Sequence, residues 1–245
     1  MTEHHDEVDL TTEVETGTGT LHVPLARRLV AEALGTGLLI VAVIGSGIMA
    51  TQLSTDVGLQ LLENSIATAG ALVALILTFG AVSGAHFNPA VTLIDRILGS
   101  ISTRDTGAYL GAQIVGGCLG AILANLMFEL PAVNLSTTDR SSPALWLSEI
   151  VATVTLLLVI QGCVRSGKGA VVPFAVAGWI AGAYWFTSST SFANPAVTIA
   201  RTLSDTFAGI APSSAPMFIA MQLVGVVIAA GLIRALYPHP HQEPS

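Results

Sequence analysis

Two copies of the tripeptide Asn-Pro-Ala combine an amide side chain with a helix-starting pattern. They lie at Asn88-Pro89-Ala90 and at Asn194-Pro195-Ala196, and a Val-Thr pair follows each copy. Asn is a favoured helix N-cap and Pro fits the first helical turn, so each copy predicts the start of a helix. The amides of Asn88 and Asn194 can also donate hydrogen bonds to oxygen atoms of a solute. These residues can therefore bind a solute, but they suggest no covalent change in it.

The composition indicates that a membrane surrounds these residues. Only 10% of the 245 residues are charged and 52% are apolar, and the mean hydropathy is +0.72. A membrane-spanning helix needs roughly 20 apolar residues. Runs of this length lie at about 28–50, 63–82, 105–128, 144–164, 170–187 and 215–236. We therefore expect one membrane domain at 25–237, an acidic disordered tail at 1–24 and a second tail at 238–245.

The positive charges predict the orientation of the spans. Most of the nine Lys and Arg residues fall on one side if the spans alternate, which places both termini in the cytoplasm and the protein in the cell membrane. These residues are Arg27, Arg28, Arg96, Arg104, Arg165, Lys168 and Arg234. They form no basic patch, so nucleic acid is not an expected partner.

The two halves of the membrane domain, about 25–130 and 143–237, repeat each other. Glu32 in the first span and Glu149 in the fourth each precede a Thr by four residues, and Gln113 in the third span matches Gln222 in the sixth. Each half contains an odd number of spans, so the second half enters the membrane from the opposite side. The two Asn-Pro-Ala segments must then approach each other from opposite faces.

The segments around each Asn-Pro-Ala copy predict re-entrant half-helices entered through extended backbone. The helical segments at about 88–98 and 194–207 are too short to cross a bilayer. Irregular backbone is tolerated at membrane depth only beside protein or a water-filled cavity. We therefore expect the preceding residues to line a pore with their carbonyl groups. They are Gly84, Ala85, His86 and Phe87 in the first half, and Thr190, Ser191, Phe192 and Ala193 in the second.

These residues together resemble the major intrinsic protein family, the aquaporins and glycerol facilitators. The resemblance covers about 25–237 and implies an all-α membrane protein with six transmembrane helices and two re-entrant half-helices in an inverted 3+3 repeat. It also implies a homotetramer in the lipid bilayer and passive flow of small neutral solutes. In that family the buried glutamates accept hydrogen bonds from loop amides, a scaffolding role for Glu32 and Glu149. Proton coupling is the alternative for these two carboxylates.

The resemblance further implies a constriction of four residues that sets selectivity. The family usually has an Arg three residues after the second signature Asn, whereas Val197 stands here, as in bacterial members that lack this arginine. The family's spacing assigns the other positions to Thr68, Gly182 and Ser191. With no aromatic and no cation among them, we expect a wide, nearly neutral filter. Such a filter suits polyols such as glycerol, or metalloid hydroxides such as arsenious acid, together with water.

Several interpretations stay open at this point. Arg201 lies one helical turn beyond Val197, where it either guards the outer mouth or pairs with Asp205, again four residues on. His86 is either a fixed structural residue or a gate that responds to protonation. A strict water channel and a proton-coupled inverted-repeat transporter are the alternative functions. An enzyme is not expected, because the sequence has no nucleophile-base pair, metal-ligand spacing, phosphate loop or other cofactor signature.

Overall fold

The computed structural model describes residues 23–237, whose secondary structure is helical apart from one isolated bridge between Asn134 and Ser204. Of the two predicted tails, residues 1–22 and 238–245 lie outside this range. The helices are α1 (Leu25–Leu53), α2 (Val57–Ser83), α3 (Pro89–Leu98), α4 (Thr103–Met127), α5 (Pro143–Arg165), α6 (Val172–Phe186), α7 (Pro195–Arg201) and α8 (Ala215–Leu236), with a 3-10 turn at Gly169–Val171.

Six of these helices are long and apolar enough to cross a membrane, which confirms the predicted spans. They are α1, α2, α4, α5, α8, and α6 with its preceding 3-10 turn. Side-chain caps set several of their starts. The Asp56 carboxylate accepts the N–H of Leu59 at the start of α2, and Ser142 accepts the N–H of Leu145 at the start of α5. Such caps satisfy backbone donors that a helix leaves free.

The two short helices begin where the sequence predicts, but the second ends early. Helix α3 runs to Leu98 as expected, whereas α7 ends at Arg201 and not near residue 207. The chain beyond Arg201 is held by the end of α4 and by the loop between α4 and α5. The Leu203 carbonyl accepts the N–H of Asn134 at 3.0 Å and the Asn125 side chain at 2.9 Å. These long-range hydrogen bonds replace the bonds that would continue the helix.

Small residues let the long helices of each half pack closely. Helix α1 makes its most extensive contact with α4, and α5 makes its most extensive contact with α8. At the α1–α4 crossing, a Cβ added to Gly116 would clash with the backbone of Ala33, and one added to Gly120 would clash with Gly37. Glycine is required because the two backbones touch. The α1–α4 and α5–α8 pairs also support the half-helices, since α3 and α7 each pack on α4 and α8.

The outward faces of the long helices are apolar. Leu38, Ile66, Leu119 and Val227 are exposed on four different helices. In water an exposed apolar surface of this extent would be unfavourable, whereas a bilayer has no such cost. The polar residues that could do chemistry lie inside the protein, between the two halves.

Candidate functional site

The two Asn-Pro-Ala segments meet and bind each other. The Asn88 side-chain amide donates to the Ala193 carbonyl at 2.8 Å, and the Asn194 amide donates to the Phe87 carbonyl at 2.9 Å. The Oδ1 atom of each Asn accepts a backbone N–H from the first turn of its own helix. Each Asn therefore caps one half-helix and anchors the loop of the other half. This reciprocal arrangement holds the two helix N-termini together.

Glu32 supports the first loop from within the protein. Its side chain is fully buried and accepts the backbone N–H groups of His86 at 2.9 Å and Phe87 at 2.8 Å. The Ser83 hydroxyl and the Gln113 amide complete its shell, at 2.6 and 2.7 Å. All four partners are hydrogen-bond donors, which is the arrangement that suits an ionised carboxylate.

Glu149 supports the second loop in the same way. It is fully buried and accepts the N–H groups of Phe192 at 3.0 Å and Ala193 at 2.9 Å. The Gln222 amide donates to it at 2.6 Å and to the Thr198 hydroxyl at 2.9 Å. The repeat seen in the sequence is thus a repeat of hydrogen-bonded supports.

The two loops hold a strained backbone that these carboxylates stabilise. Positive φ values occur at non-glycine residues in both loops, which costs about 1–2 kcal/mol per residue for L-amino acids. These residues are Ala85 (51°), Phe87 (50°), Thr190 (62°), Ser191 (53°) and Ala193 (46°). Strain is retained where the surrounding structure fixes the conformation. Here it turns several backbone groups toward the space between the halves.

A cavity of about 650 Å³ lies beside the paired asparagines. Both Asn88 and Asn194 border it. One end, the α3 end, is bordered by Asp95, Ser100 and Gly169, and the other, the α7 end, by Tyr184, Val197 and Arg201. Most of its wall is apolar, with polar groups at a few positions, as is usual for sites that bind small solutes. Each Asn uses one of its two amide hydrogens on the opposite loop, so the second remains for a solute.

Known proteins resemble this chain in sequence and in fold. A sequence model of the family described as major intrinsic protein matches residues 20–187, well over half of the chain. The chain belongs to the major intrinsic protein family.

Relatives in this family extend over most of the chain. The aquaglyceroporin AqpS of Rhizobium meliloti (strain 1021) is 50% identical over 212 residues, covering 86% of this chain and 91% of the relative. The putative aquaporin NIP4-1 of Arabidopsis thaliana is 32% identical over 149 residues, 60% of this chain and 52% of that protein. The X-ray structure of the aquaglyceroporin from Plasmodium falciparum superposes with a TM-score of 0.66 at 20% identity, covering 87% of this chain and 97% of the other, which shows a shared fold.

Membership of the major intrinsic protein family fixes the broad activity. With six spanning helices, this chain is a multi-pass membrane channel for small neutral solutes, and it is not an enzyme. The cavity beside Asn88 and Asn194 is the candidate solute path in the described part of the chain. No group of three or more His, Cys, Asp or Glu residues within 23–237 could hold a metal ion.

Three of the four expected constriction residues border the cavity. These are Thr68, Ser191 and Val197, whereas Gly182 does not border it. The wall formed by α6 consists instead of residues four apart, including Val176, Ile180 and Tyr184. Gly182 lies two positions from Ile180 and Tyr184, so it falls on another face of the helix. Gly182 is thus the one expected constriction residue that the structure does not bring to the cavity wall, and its assignment to the constriction stays a prediction.

Tyr184 is the aromatic residue that the sequence interpretation missed. Its hydroxyl lies 3.1 Å from the Thr68 hydroxyl, so a hydrogen bond joins α6 to α2 in the cavity wall. The cavity wall therefore contains an aromatic side chain from outside the four expected constriction positions. Only the helical period of α6 could have indicated Tyr184, because counting from Asn194 leads to a different face.

The loop residues expected to line the pore divide into two groups. Six of the eight border the cavity, and Thr190 and Ala193 do not. The Ala193 carbonyl accepts from Asn88, and the Phe87 carbonyl accepts from Asn194. These two carbonyls are therefore occupied by the contact between the halves. The residues that do border the cavity are Gly84, Ala85, His86, Phe87, Ser191 and Phe192.

Arg201 is buried beside the cavity and does not pair with Asp205. It is 3% exposed, and its guanidinium carbon lies 3.4 Å from the centre of the Phe192 ring. Its Nε donates to the Ala208 carbonyl. Asp205 instead accepts the N–H of Thr137 at 2.8 Å. Arg201 therefore brings a cation to the α7 end of the cavity from outside the four expected constriction positions, and of its two interpretations the ion pair with Asp205 is not formed.

The α3 end of the cavity carries the opposite charge. Asp95 occupies the position in α3 that Arg201 occupies in α7. Its carboxylate lies 3.1 Å from Nε2 of His86 and accepts from the Gln161 amide at 2.8 Å. The other ring nitrogen of His86 lies 3.0 Å from the Thr92 hydroxyl. Contacts on both ring nitrogens hold the imidazole in one orientation.

Proposed function

We propose that this channel passes solutes larger than water, namely polyols such as glycerol or metalloid hydroxides such as arsenious acid, with water as a further permeant. The observation that carries the proposal is Val197 at the position where the family usually has an arginine. Replacing Arg by Val removes volume and donors from the narrowest part of such a channel. The name aquaglyceroporin, given to a relative that shares half of its aligned residues, supports the same class of solute.

The polar groups of the cavity fit a solute that carries several hydroxyls. Asn88 and Asn194 each keep an amide hydrogen for a solute oxygen, and Thr68 and Ser191 add hydroxyls nearer the α7 end. The Ser191 hydroxyl is buried without a hydrogen-bond partner among residues 23–237. An unpaired buried hydroxyl costs about 1–3 kcal/mol, which a passing solute would recover. The apolar wall opposite these groups suits the carbon side of a polyol.

We further propose that the channel works as a homotetramer in the cell membrane, with both termini in the cytoplasm. Only 17% of the most apolar stretch of α2 is buried within the protomer. Lipid or neighbouring protomers must cover the rest. The positive-inside rule supports the orientation, because most Lys and Arg residues lie at the α3 side of the membrane.

Solute flux into proteoliposomes tests the function directly. We expect stopped-flow light scattering to show rapid glycerol entry as well as water flow. Val197→Arg should reduce glycerol entry more than water flow, because the added side chain fills the space that the larger solute needs. Val197→Thr, which keeps volume and charge nearly constant, is the matched control and should leave the ratio of the two fluxes close to that of the unaltered protein.

A strict water channel is the second candidate, favoured by Tyr184 and Arg201. Both side chains border the cavity near Val197 and take up space there. If they narrow the passage enough, water will flow while glycerol and arsenite are excluded. That outcome, in the same proteoliposomes, would replace the wide-filter proposal with this one.

A further inference from the structure

Two arginines lie on one aromatic ring at the α7 end of the cavity. The guanidinium carbon of Arg201 is 3.4 Å from the centre of the Phe192 ring, and that of Arg140 is 5.1 Å from it. Arg140 comes from the loop between α4 and α5, and its Nε donates to the Gly209 carbonyl at 2.9 Å. Contact with a ring face stabilises a cation only modestly. Two positive charges therefore share one small, largely dehydrated region.

No carboxylate within residues 23–237 forms a salt bridge with either arginine. The buried carboxylate of Glu149 accepts hydrogen bonds from the N–H groups of Phe192 and Ala193 and from the Gln222 amide, and not from either arginine. Burial also lowers the pKa of Arg140 below its ordinary value. A buried cation without a bound anion is costly.

The free donors of this region point to a ligand with oxygen acceptors. Arg201 uses only Nε within the protein, so its two terminal nitrogens form no hydrogen bond with residues 23–237, and the residue borders the cavity. Ser191, directly before Phe192, borders the same cavity with a buried hydroxyl that has no hydrogen-bond partner in the described part of the chain. A planar guanidinium with two free nitrogens matches a pair of oxygens on one atom.

We propose that Arg201 and Ser191 form a binding site for one small planar oxyanion at the α7 end of the cavity. Arg140, which does not border the cavity, contributes its charge without contacting the ion. The site rests on the proposed channel, because an ion held there stands in the path of neutral solutes and slows them. It also gives the channel a cationic mouth that repels cations, although the usual filter arginine is replaced by Val197.

Nitrate is a suitable probe, because it is a planar monoanion that does not cross lipid as a neutral acid. Glycerol entry into proteoliposomes is measured in nitrate and in gluconate, a larger anion, at equal ionic strength and pH 7. We expect nitrate at tens of millimolar to slow entry about twofold or more in the unaltered protein. Arg201→Gln should weaken the apparent nitrate affinity at least about tenfold, as expected for loss of a charged hydrogen bond. Each variant is compared with its own rate in gluconate.

Two further variants distinguish the loss of the Arg201 charge from a general effect of the substitution on the fold. Arg201→Lys keeps the charge without the paired nitrogens and should bind nitrate more weakly than the unaltered protein but better than Arg201→Gln. Arg234→Gln is the matched control, because Arg234 is an exposed residue that bonds the Ile97 carbonyl. It should keep the full response to nitrate. The proposed site would be overturned if nitrate slowed glycerol entry equally in Arg201→Gln and in the unaltered protein. It would also be overturned if nitrate did not change the rate of glycerol entry in the unaltered protein.

Thermal unfolding of the purified channel in detergent distinguishes failure of the site from failure of the proposed function. A bound ion raises the melting temperature of the folded state. We expect nitrate, compared with gluconate, to raise it in the unaltered protein and not in Arg201→Gln. If the protein passes no glycerol, this shift still tests the site, with water flow as the second readout. A shift without any slowing of flux would mean that the ion lies off the path, which would overturn the proposal.

Discussion

The hydroxyls of Thr68 and Tyr184 lie 3.1 Å apart and join α2 to α6 in the wall of the cavity. Both side chains are almost fully buried in the protein, at 3% and 4% exposure, and both border the cavity. The pair therefore has two separable effects on a solute. The ring of Tyr184 takes up volume, and its hydrogen bond uses one of the hydrogen-bonding positions of the Thr68 hydroxyl, leaving the others for a solute.

Tyr184→Ala should widen the cavity and favour larger solutes. We expect entry of a five-carbon polyol to rise by several-fold relative to water flow, because the phenol ring no longer fills the α7 end. The measurement is stopped-flow light scattering with proteoliposomes. Tyr184→Phe is the control, since it keeps the ring and loses only the hydrogen bond, at a cost of about 1 kcal/mol. Equal effects of the two changes would show that the ring does not limit solute size.

The reciprocal bonds of Asn88 and Asn194 predict non-additive effects on stability. Replacing either residue by Ala removes a helix cap and one bond to the opposite loop, which should cost about 1–3 kcal/mol. The second replacement should cost less than the first, because the contact between the halves is already weakened. We expect a coupling of about 0.5 kcal/mol or more in a double-mutant cycle. Unfolding of the four proteins in detergent provides the measurement.

Asn64 provides the control for this cycle. Its amide donates to the Val43 carbonyl at 2.8 Å, far along α2 from the half-helices. Asn64→Ala combined with Asn88→Ala should therefore be additive within about 0.5 kcal/mol. If the Asn88 and Asn194 pair were equally additive, the two halves would not be held together by these side chains.

The sequence predicted the parts of the site that depend on local or repeated patterns. The starts of α3 and α7 follow from the capping preference of Asn and the first-turn preference of Pro. The inward position of Glu32 and Glu149 follows from their symmetric recurrence within apolar spans. Such features need little knowledge of distant contacts, because the chemistry of the cap or of the buried charge limits the possible arrangements.

The parts that the sequence did not predict depend on contacts between segments far apart in the chain. The end of α7 at Arg201 is set by Asn125 in the last turns of α4 and Asn134 in the loop after it, which both bind the Leu203 carbonyl. Asp205, the local candidate partner of Arg201, is taken by Thr137. The rotation of α6 about its axis brings Tyr184 and not Gly182 to the cavity, and it is determined by how α6 packs against the neighbouring helices. No spacing along the sequence contains this information.

The contact between α1 and α4 predicts a strict requirement for Gly116. A Cβ at this position would clash with the backbone of Ala33, which cannot move without shifting α1. We expect Gly116→Ala to cost about 1–3 kcal/mol, as overpacking does. Gly111→Ala on the same helix is the control, because nothing lies within 4 Å of its added Cβ. Thermal unfolding and the yield of folded channel should separate the two variants, and equal stability would contradict the close crossing.

The donors around Glu32 predict that its charge is structural and does not couple transport to protons. Glu32→Gln replaces one acceptor oxygen by a donor that faces other donors, including the N–H of Phe87. We expect a loss of about 1–3 kcal/mol of stability and a lower glycerol flux at every pH. Glu129→Gln, the same change at an exposed residue, should lower neither the stability nor the glycerol flux.

A proton gradient across the proteoliposome membrane tests the alternative role of Glu32. In a channel, glycerol should reach the same concentration on both sides whether or not the gradient is imposed, because no step links solute movement to proton movement. A coupled transporter would instead accumulate glycerol, and a stable Glu32→Gln variant would lose that accumulation while still letting solute equilibrate. That pair of results would give the buried carboxylate a transport role. Equilibration in both proteins leaves it as the support of the first loop.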